Sequence, residues 1–161
     1  MTAHPIGRRS AAEQARVEEV LQDRVRNVPF NTLIGVTVVS IRPPEPRLRL
    51  DMRPTLVGTR EHSRLHGGAI ATVLDDIGGI ALMVALADKH PDETAEQLLH
   101  RFVRMGTIDL RIDYLRPGLG EHFIASAEVT RLGGRIGSTT MRLVNDENKL
   151  IATGTATYIM S

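Results

Sequence analysis

Apolar and polar residues alternate along this chain at two different periods, and the change of period marks out its elements. From Arg9 to Val28, Ala12, Ala15, Val17, Val20, Leu21 and Val25 recur at helical spacing among charged residues. That spacing predicts an amphipathic surface helix closed off by Pro29. "LIGVTVVSI" and "RLRLDM" flank "RPPEP", the pattern of a hairpin with a stiff turn. The next stretch, "RLHGGAIATVLDDIGGIALMVALA" from Arg64 to Ala87, is apolar on almost every side, so a helix there needs wrapping rather than one flat neighbour. "TAEQLLHRFVRM" reads as a shorter helix. In "TIDLRIDYL" the period drops to two: Ile108, Leu110, Ile112 and Tyr114 alternate with Thr107, Asp109, Arg111 and Asp113, as in a half-buried strand. "RPGLGE", "GG" and "NDENK" then turn into "HFIASAEVTRL", "RIGSTTMRLV" and "LIATGTATYIM", each with the same alternation. Two strands, a helix and four strands joined by short turns predict an α+β architecture: one curved antiparallel sheet wrapped round a single central helix. Residues 1–28 read as an N-terminal amphipathic helical extension and 29–161 as a single domain.

Composition narrows the function classes. The chain has 161 residues, 42% hydrophobic and 24% charged, an ordinary balance for one domain with its own core. Its formal net charge of +1 is spread along the chain, so no global attraction to nucleic acid or membrane is expected. Cysteine is absent, which removes disulfides, thiolate zinc sites and cysteine nucleophiles and suits a reducing cytosol. "MTAHPIGRRSAAEQ" has no apolar signal region, so a cytoplasmic location is expected. The long apolar stretch approaches membrane-spanning length, but two aspartates near its middle would each cost about 2.5 to 3.5 kcal/mol in a bilayer, so a buried helix and no membrane span are expected.

Those aspartates, Asp75 and Asp76, carry the candidate chemistry. Consecutive helical residues point about 100° apart, so the two cannot share an environment. One can be functional while the other is solvated; alternatively both meet water or an arginine at a subunit edge. At the helix start, Gly67 and Gly68 would leave first-turn amides open to a ligand, a ready oxyanion site, although Gly-Gly there also fits a plain turn with a cap. His66 and Asp75 are nine positions apart, about 13 Å along a helix axis, and cannot meet on one chain. If both act on one substrate, either a bent substrate spans them or the acid comes from a second copy. Gly78 and Gly79, unfavourable inside a helix by about 1 kcal/mol each, suggest close approach by another backbone. In "RLGGRIG", Gly133 and Gly134 allow close backbone approach to phosphates beside Arg131 and Arg135, of which Arg135 is the preferred contact; an exposed arginine at a tight turn is the alternative. His62 and His66 have metal-ligand spacing but lack the accompanying glutamate, so no metal is expected. His4, His90, His100 and His122 read as solvated. No Gly-x-Ser-x-Gly elbow occurs.

"LHGGAIATVLDDIGG", followed by "GTIDLRIDYLRPG", "LGGRIGST" and "IATGTATYI", resembles the hotdog-fold acyl-CoA thioesterases of the phenylacetate-degradation type, especially the bacterial subgroup acting on medium- and long-chain acyl-CoA. The resemblance runs from about Leu33 to the end. It implies a hotdog fold, an acyl-CoA substrate, no cofactor, and a homodimer joining its sheets, with tetramers left open. It also implies roles: His66 positions the thioester, Gly67 polarises its carbonyl, Asp75 rather than Asp76 is general base or nucleophile, and Thr107 orients the water or the acid. Burial is expected to raise the pKa of Asp75 unless Thr107 or an amide donates to it. Relatives often carry an asparagine a few residues before the His-Gly-Gly, where this chain offers Thr59 or Arg60. The same fold also serves acyl-thioester dehydratases or hydratases and non-catalytic acyl-CoA-binding proteins, the two rival readings.

Overall fold

The computed structural model describes residues 9–42, 45–59 and 61–160. His4, Arg60 and the Pro43–Pro44 step of the first hairpin lie outside the described residues. The chain opens with helix α1 (Ala11–Arg26), capped by Ser10, whose hydroxyl accepts from Glu13 N–H at 3.2 Å. Its apolar stripe of Val17, Leu21 and Val25 is buried. A short helix α2 (Pro29–Ile34) follows, starting on the proline expected to end α1 and stopping at Gly35, which has φ of 81°. Strands β1 (Val36–Ser40) and β2 (Arg47–Asp51) form the hairpin, and a small ladder of β3 (Val57–Thr59) and β4 (Arg64–Leu65) leads into the long helix α3 (Gly67–Lys89). Helix α4 (Ala95–Phe102) carries a reciprocal Thr94–Gln97 capping box. Four strands complete the chain: β5 (Gly106–Tyr114), β6 (His122–Leu132), β7 (Ile136–Asn145) and β8 (Leu150–Ile159).

Six strands form one sheet in the order β1-β2-β6-β7-β8-β5, and every pairing is antiparallel. It curves round α3, which packs chiefly on β6 and β7. Val73, Leu74, Ile77 and Leu82 of the helix are fully buried among Leu48, Phe123 and Leu143 of the sheet. This wrapping answers the hydropathy of α3: it is long and apolar enough to cross a membrane, yet 67% of its most apolar window lies buried within the fold. The N-terminal segment is tied to the far end of the same helix. The Arg9 guanidinium donates to the carbonyls of Ala87 (2.6 Å), His90 (2.7 Å) and Glu93 (3.2 Å), capping chain ends that have no helical partner. The Glu13 carboxylate accepts from Ala95 N–H at 2.6 Å, at the start of α4.

Two features depart from the pattern read along the sequence. "RPGLGE" is not a hairpin turn: β5 lies at the sheet edge against β8, and the chain crosses the sheet's end to place β6 beside β2. The second is a bulge in β5. Thr107 pairs with Tyr158 and Asp109 with Thr157, leaving Ile108 as an extra residue. The bulge shifts the strand's phase, so Thr107 faces α3 together with Leu110 and Ile112, whereas Ile108 is 56% exposed. Strict alternation had put Ile108 with the inward residues and Thr107 with the outward ones.

Candidate active site

The first part of the site is the start of α3. His66 is the N-cap, with φ −64° and ψ 136°, and its Nδ1 accepts from Gly68 N–H at 2.9 Å. An accepting Nδ1 places the ring proton on Nε2, which leaves that N–H available to a ligand. A Cβ at position 68 would stand 2.9 Å from the same Nδ1, so this cap requires glycine. The expectation of two open amides is therefore corrected to one: the cap occupies Gly68 N–H, and among the described residues nothing accepts from Gly67 N–H. The Tyr114 hydroxyl donates to the Gly67 carbonyl at 3.1 Å, fastening the helix start to the end of β5.

The second part lies two and a half turns along the same helix. Asp75 Oδ1 accepts from the Thr107 hydroxyl at 2.8 Å, a contact that exists because the bulge turns Thr107 inward. The Tyr158 hydroxyl donates to the Asp75 backbone carbonyl at 2.8 Å, with Oδ1 at 3.3 Å as the longer branch. Burial first, and then the charge of Asp75, push the Tyr158 phenol far above its ordinary value, so it stays a donor. The carboxylate is thus held by one oxygen, and among the described residues Oδ2 has no partner. Reading the sequence missed Tyr158, because "TATYIM" in an alternating strand gives a tyrosine no mark that separates it from core. The clue was Gly78. Its Cβ would collide with the Tyr158 hydroxyl and Thr139 Oγ1, so the close approach expected from a backbone comes from side chains.

Asp76 points elsewhere. Burial, reinforced by the charge of Asp75, pushes its carboxyl up to about 7, although a hydrogen bond with the buried Asn31 side chain pulls it down in part. Its Oδ2 is buried without a partner among the described residues. A cavity of about 170 Å³ opens beside both carboxylates, Thr107 and Tyr158.

The remaining candidates sit apart. Gly133, Gly134 and Arg135 form the β6–β7 turn, closed by Gly133 N–H donating to the Ile136 carbonyl at 3.0 Å. Ile136 and Gly106 both pair with Ile159, so this turn is at the same end of the sheet as Thr107 but does not line the cavity. The Arg135 side chain is exposed. Thr59 ends β3, also exposed. Among the described residues, no three His, Cys, Asp or Glu side chains converge as a metal site.

The wrapped central helix and the six-stranded sheet around it are matched by known proteins. The thioesterase superfamily description matches residues 62–152, and the chain belongs to that family. It is 38% identical over 149 residues to the medium/long-chain acyl-CoA thioesterase YigI of Escherichia coli K12, covering 92% of this chain and 96% of the relative. Human acyl-coenzyme A thioesterase 13 is 28% identical over 141 residues, covering 86% of this chain and 89% of that protein. A solved structure from Shewanella oneidensis, related to the thioesterase superfamily, superposes with a TM-score of 0.87 at 35% identity, covering 95% of this chain and 100% of that one. The fold is the hotdog fold that the sequence resemblance implied.

Proposed function

We propose that this chain hydrolyses the thioester of an acyl-CoA, of medium to long acyl length, to a free acid and CoA, in a site shared between two copies. The observation that carries the reading is the division of chemistry along α3: an amide donor at Gly67 and an anchored carboxylate at Asp75, both tied to the edge strand β5. Thioester hydrolysis needs a polarised carbonyl and an activated oxygen, and little more. The Gly67 amide, backed by His66 Nε2–H and the helix dipole, takes the negative charge that develops on the carbonyl oxygen. Asp75 Oδ2 either takes a proton from water as the water oxygen bonds to the carbonyl carbon, or attacks that carbon itself, in which case water hydrolyses the resulting acyl–Asp75 anhydride after the thiolate has left. Thr107 and Tyr158 hold Oδ1, fixing the direction of the other oxygen. The C–S bond then breaks, and a thiolate whose conjugate thiol has a pKa of about 8.5 leaves without an acid.

The two groups are about 12 Å apart along one helix, so each site draws on two chains. β5 is a sheet edge with exposed Ile108, Tyr114 and Leu115, and such an edge favours pairing. Antiparallel pairing of two β5 strands about a two-fold axis through Arg111 keeps inward residues opposite inward ones and, across the bulge at Ile108, sets Thr107 of one copy opposite Tyr114 of the other. That brings the Asp75 of one copy toward the Gly67 of the second.

Thiol release from acyl-CoA of graded chain length tests the activity, and a protein inactive on every member ends the proposal. Mixed dimers test the sharing. Gly67→Pro deletes one amide donor at the first helical position, where proline is tolerated, and His66 already has the extended backbone a following proline demands. Asp75→Asn deletes the base. Each homodimer is expected to be nearly inactive, and an equal mixture, once exchanged, should recover about a quarter of wild-type activity, because half the dimers are mixed and each has one intact site. Exchange demonstrated by mass-tagged protomers without recovered activity would show that donor and acid come from one chain.

A further inference from the structure

The cavity beside Asp75 is not closed by α3 and β5 alone. One wall is made by Arg24 and Val25 at the end of α1 and by Val28 just beyond it; they share the cavity with Ile80 and Met83 of α3 and Met105 at the approach to β5. Arg24, Val25 and Val28 lie outside the stretch matched by the family description, which begins at residue 62. The segment that carries them is firmly placed: Val17, Leu21 and Val25 are buried in the common core, and Arg9 and Glu13 fasten its start to α3 and α4.

We infer that the end of α1 is a wall of the acyl-chain site and that Val28 helps set the acyl length the site accepts. The inference rests on the thioesterase reading. A thioester offers Asp75 two arms. The CoA arm carries phosphates, and here they would meet two carboxylates, Asp75 and Asp76, against one cation, Arg24, among the described residues lining the cavity. The acyl arm needs apolar surface, and Val25, Val28, Ile80, Met83 and Met105 supply it. Each methylene moved from water onto such surface adds about fourfold to binding, so the depth left by this wall translates directly into chain-length preference. At about 170 Å³ the cavity of one chain is smaller than a typical small-molecule site of roughly 300 to 1,000 Å³. A single bulky side chain at its wall therefore takes up a large share of it. Val25 is fully buried, whereas Val28 is only partly so and tolerates enlargement better.

The chain contains no tryptophan, so Val28→Trp both narrows the wall and places a sole tryptophan on it. With wild type and variant confirmed to share the same assembly state, kcat/KM is measured on butanoyl-, octanoyl- and hexadecanoyl-CoA. The expected result is a hexadecanoyl-to-butanoyl ratio at least tenfold below wild type for Val28→Trp, with a smaller shift in the same direction for Val28→Leu. Hexadecanoic acid should also move the Val28→Trp emission to the blue, while leaving that of an Arg16→Trp control, on the exposed face of α1, unmoved. Should Val28→Trp fail to fold, Val28→Leu and Val28→Ala carry the test, with opposite shifts expected. An active enzyme whose length profile is the same in all these variants overturns the wall and leaves the thioesterase reading standing. A wild-type protein inactive on all three thioesters overturns both.

Discussion

Asp75 and Asp76 are the same residue type on the same turn of the same helix, yet they belong to different chemistries. Asp75 looks across to β5 and β8, where two hydroxyls hold one of its oxygens and, among the described residues, nothing engages the other. Asp76, turned about 100° away, looks toward α2 and the inner end of α1, and is buried with one oxygen unpartnered among the described residues and its carboxyl pushed up to about 7. The difference teaches that an anchored carboxylate needs donors from other elements. The sheet provides them on one side of α3, and on the other side the Asn31 side chain offsets the burial of Asp76 only in part.

Asp75→Asn tests the comparison most directly. It keeps the volume and deletes the proposed base, and is expected to lower kcat by about 10²–10⁴, the usual contribution of a positioned base. A variant with near-wild-type turnover would assign the chemistry to the other face. Tyr158→Phe probes the anchoring. Losing one donor is expected to reduce kcat roughly tenfold with KM little changed, because direction is lost and binding surface is kept. A rise in KM with kcat preserved would mark Tyr158 as a binding contact instead.

Asp76→Asn is expected to change turnover least, by no more than a few-fold, and to act on stability. The folded protein holds the Asp76 proton up to about pH 7, whereas the ordinary carboxyl releases it near 3.8. Between those values the folded state binds the extra proton, so stability is lost as pH rises through this window. Removing the group should therefore stabilise the protein at pH 8 by about 2 to 4 kcal/mol and have little effect at pH 4. Denaturant unfolding at both pH values checks this, and an equal shift at both would mean that ionisation of Asp76 is not the cause.

The elements were legible in the sequence because each carried its period. The apolar helix from Gly67 and the alternating strands from Gly106 to Ile159 stand where hydropathy placed them. The position of β5 at the sheet edge was not legible, since alternation reports which residues face inward and not which strand is the neighbour. Nor was the bulge at Ile108, because an extra isoleucine leaves the strand's composition strand-like. At the site, the preference for Asp75 over Asp76 came from the family resemblance; local sequence offers two identical acids, and only the tertiary surroundings separate them. The Gly68 amide was misjudged because a histidine cap at His66 satisfies it, a contact that requires a particular ring orientation. Tyr158 was hidden by its own burial.

The bulge in β5 behaves like a one-letter insertion in a text read two letters at a time. From Asp109 onward the strand keeps step with β8 through Thr157, and before Ile108 it keeps step through Tyr158. Removing the extra residue altogether would therefore leave both halves in step. Deletion of Ile108, a change that usually ruins a strand, is expected to keep Thr107 opposite Tyr158 and within reach of Asp75, and so to preserve more turnover than Thr107→Val, which retains every residue and loses the hydroxyl. Access to the acid is thus set by the partner that Thr107 keeps on β8, and not by how many residues the strand contains.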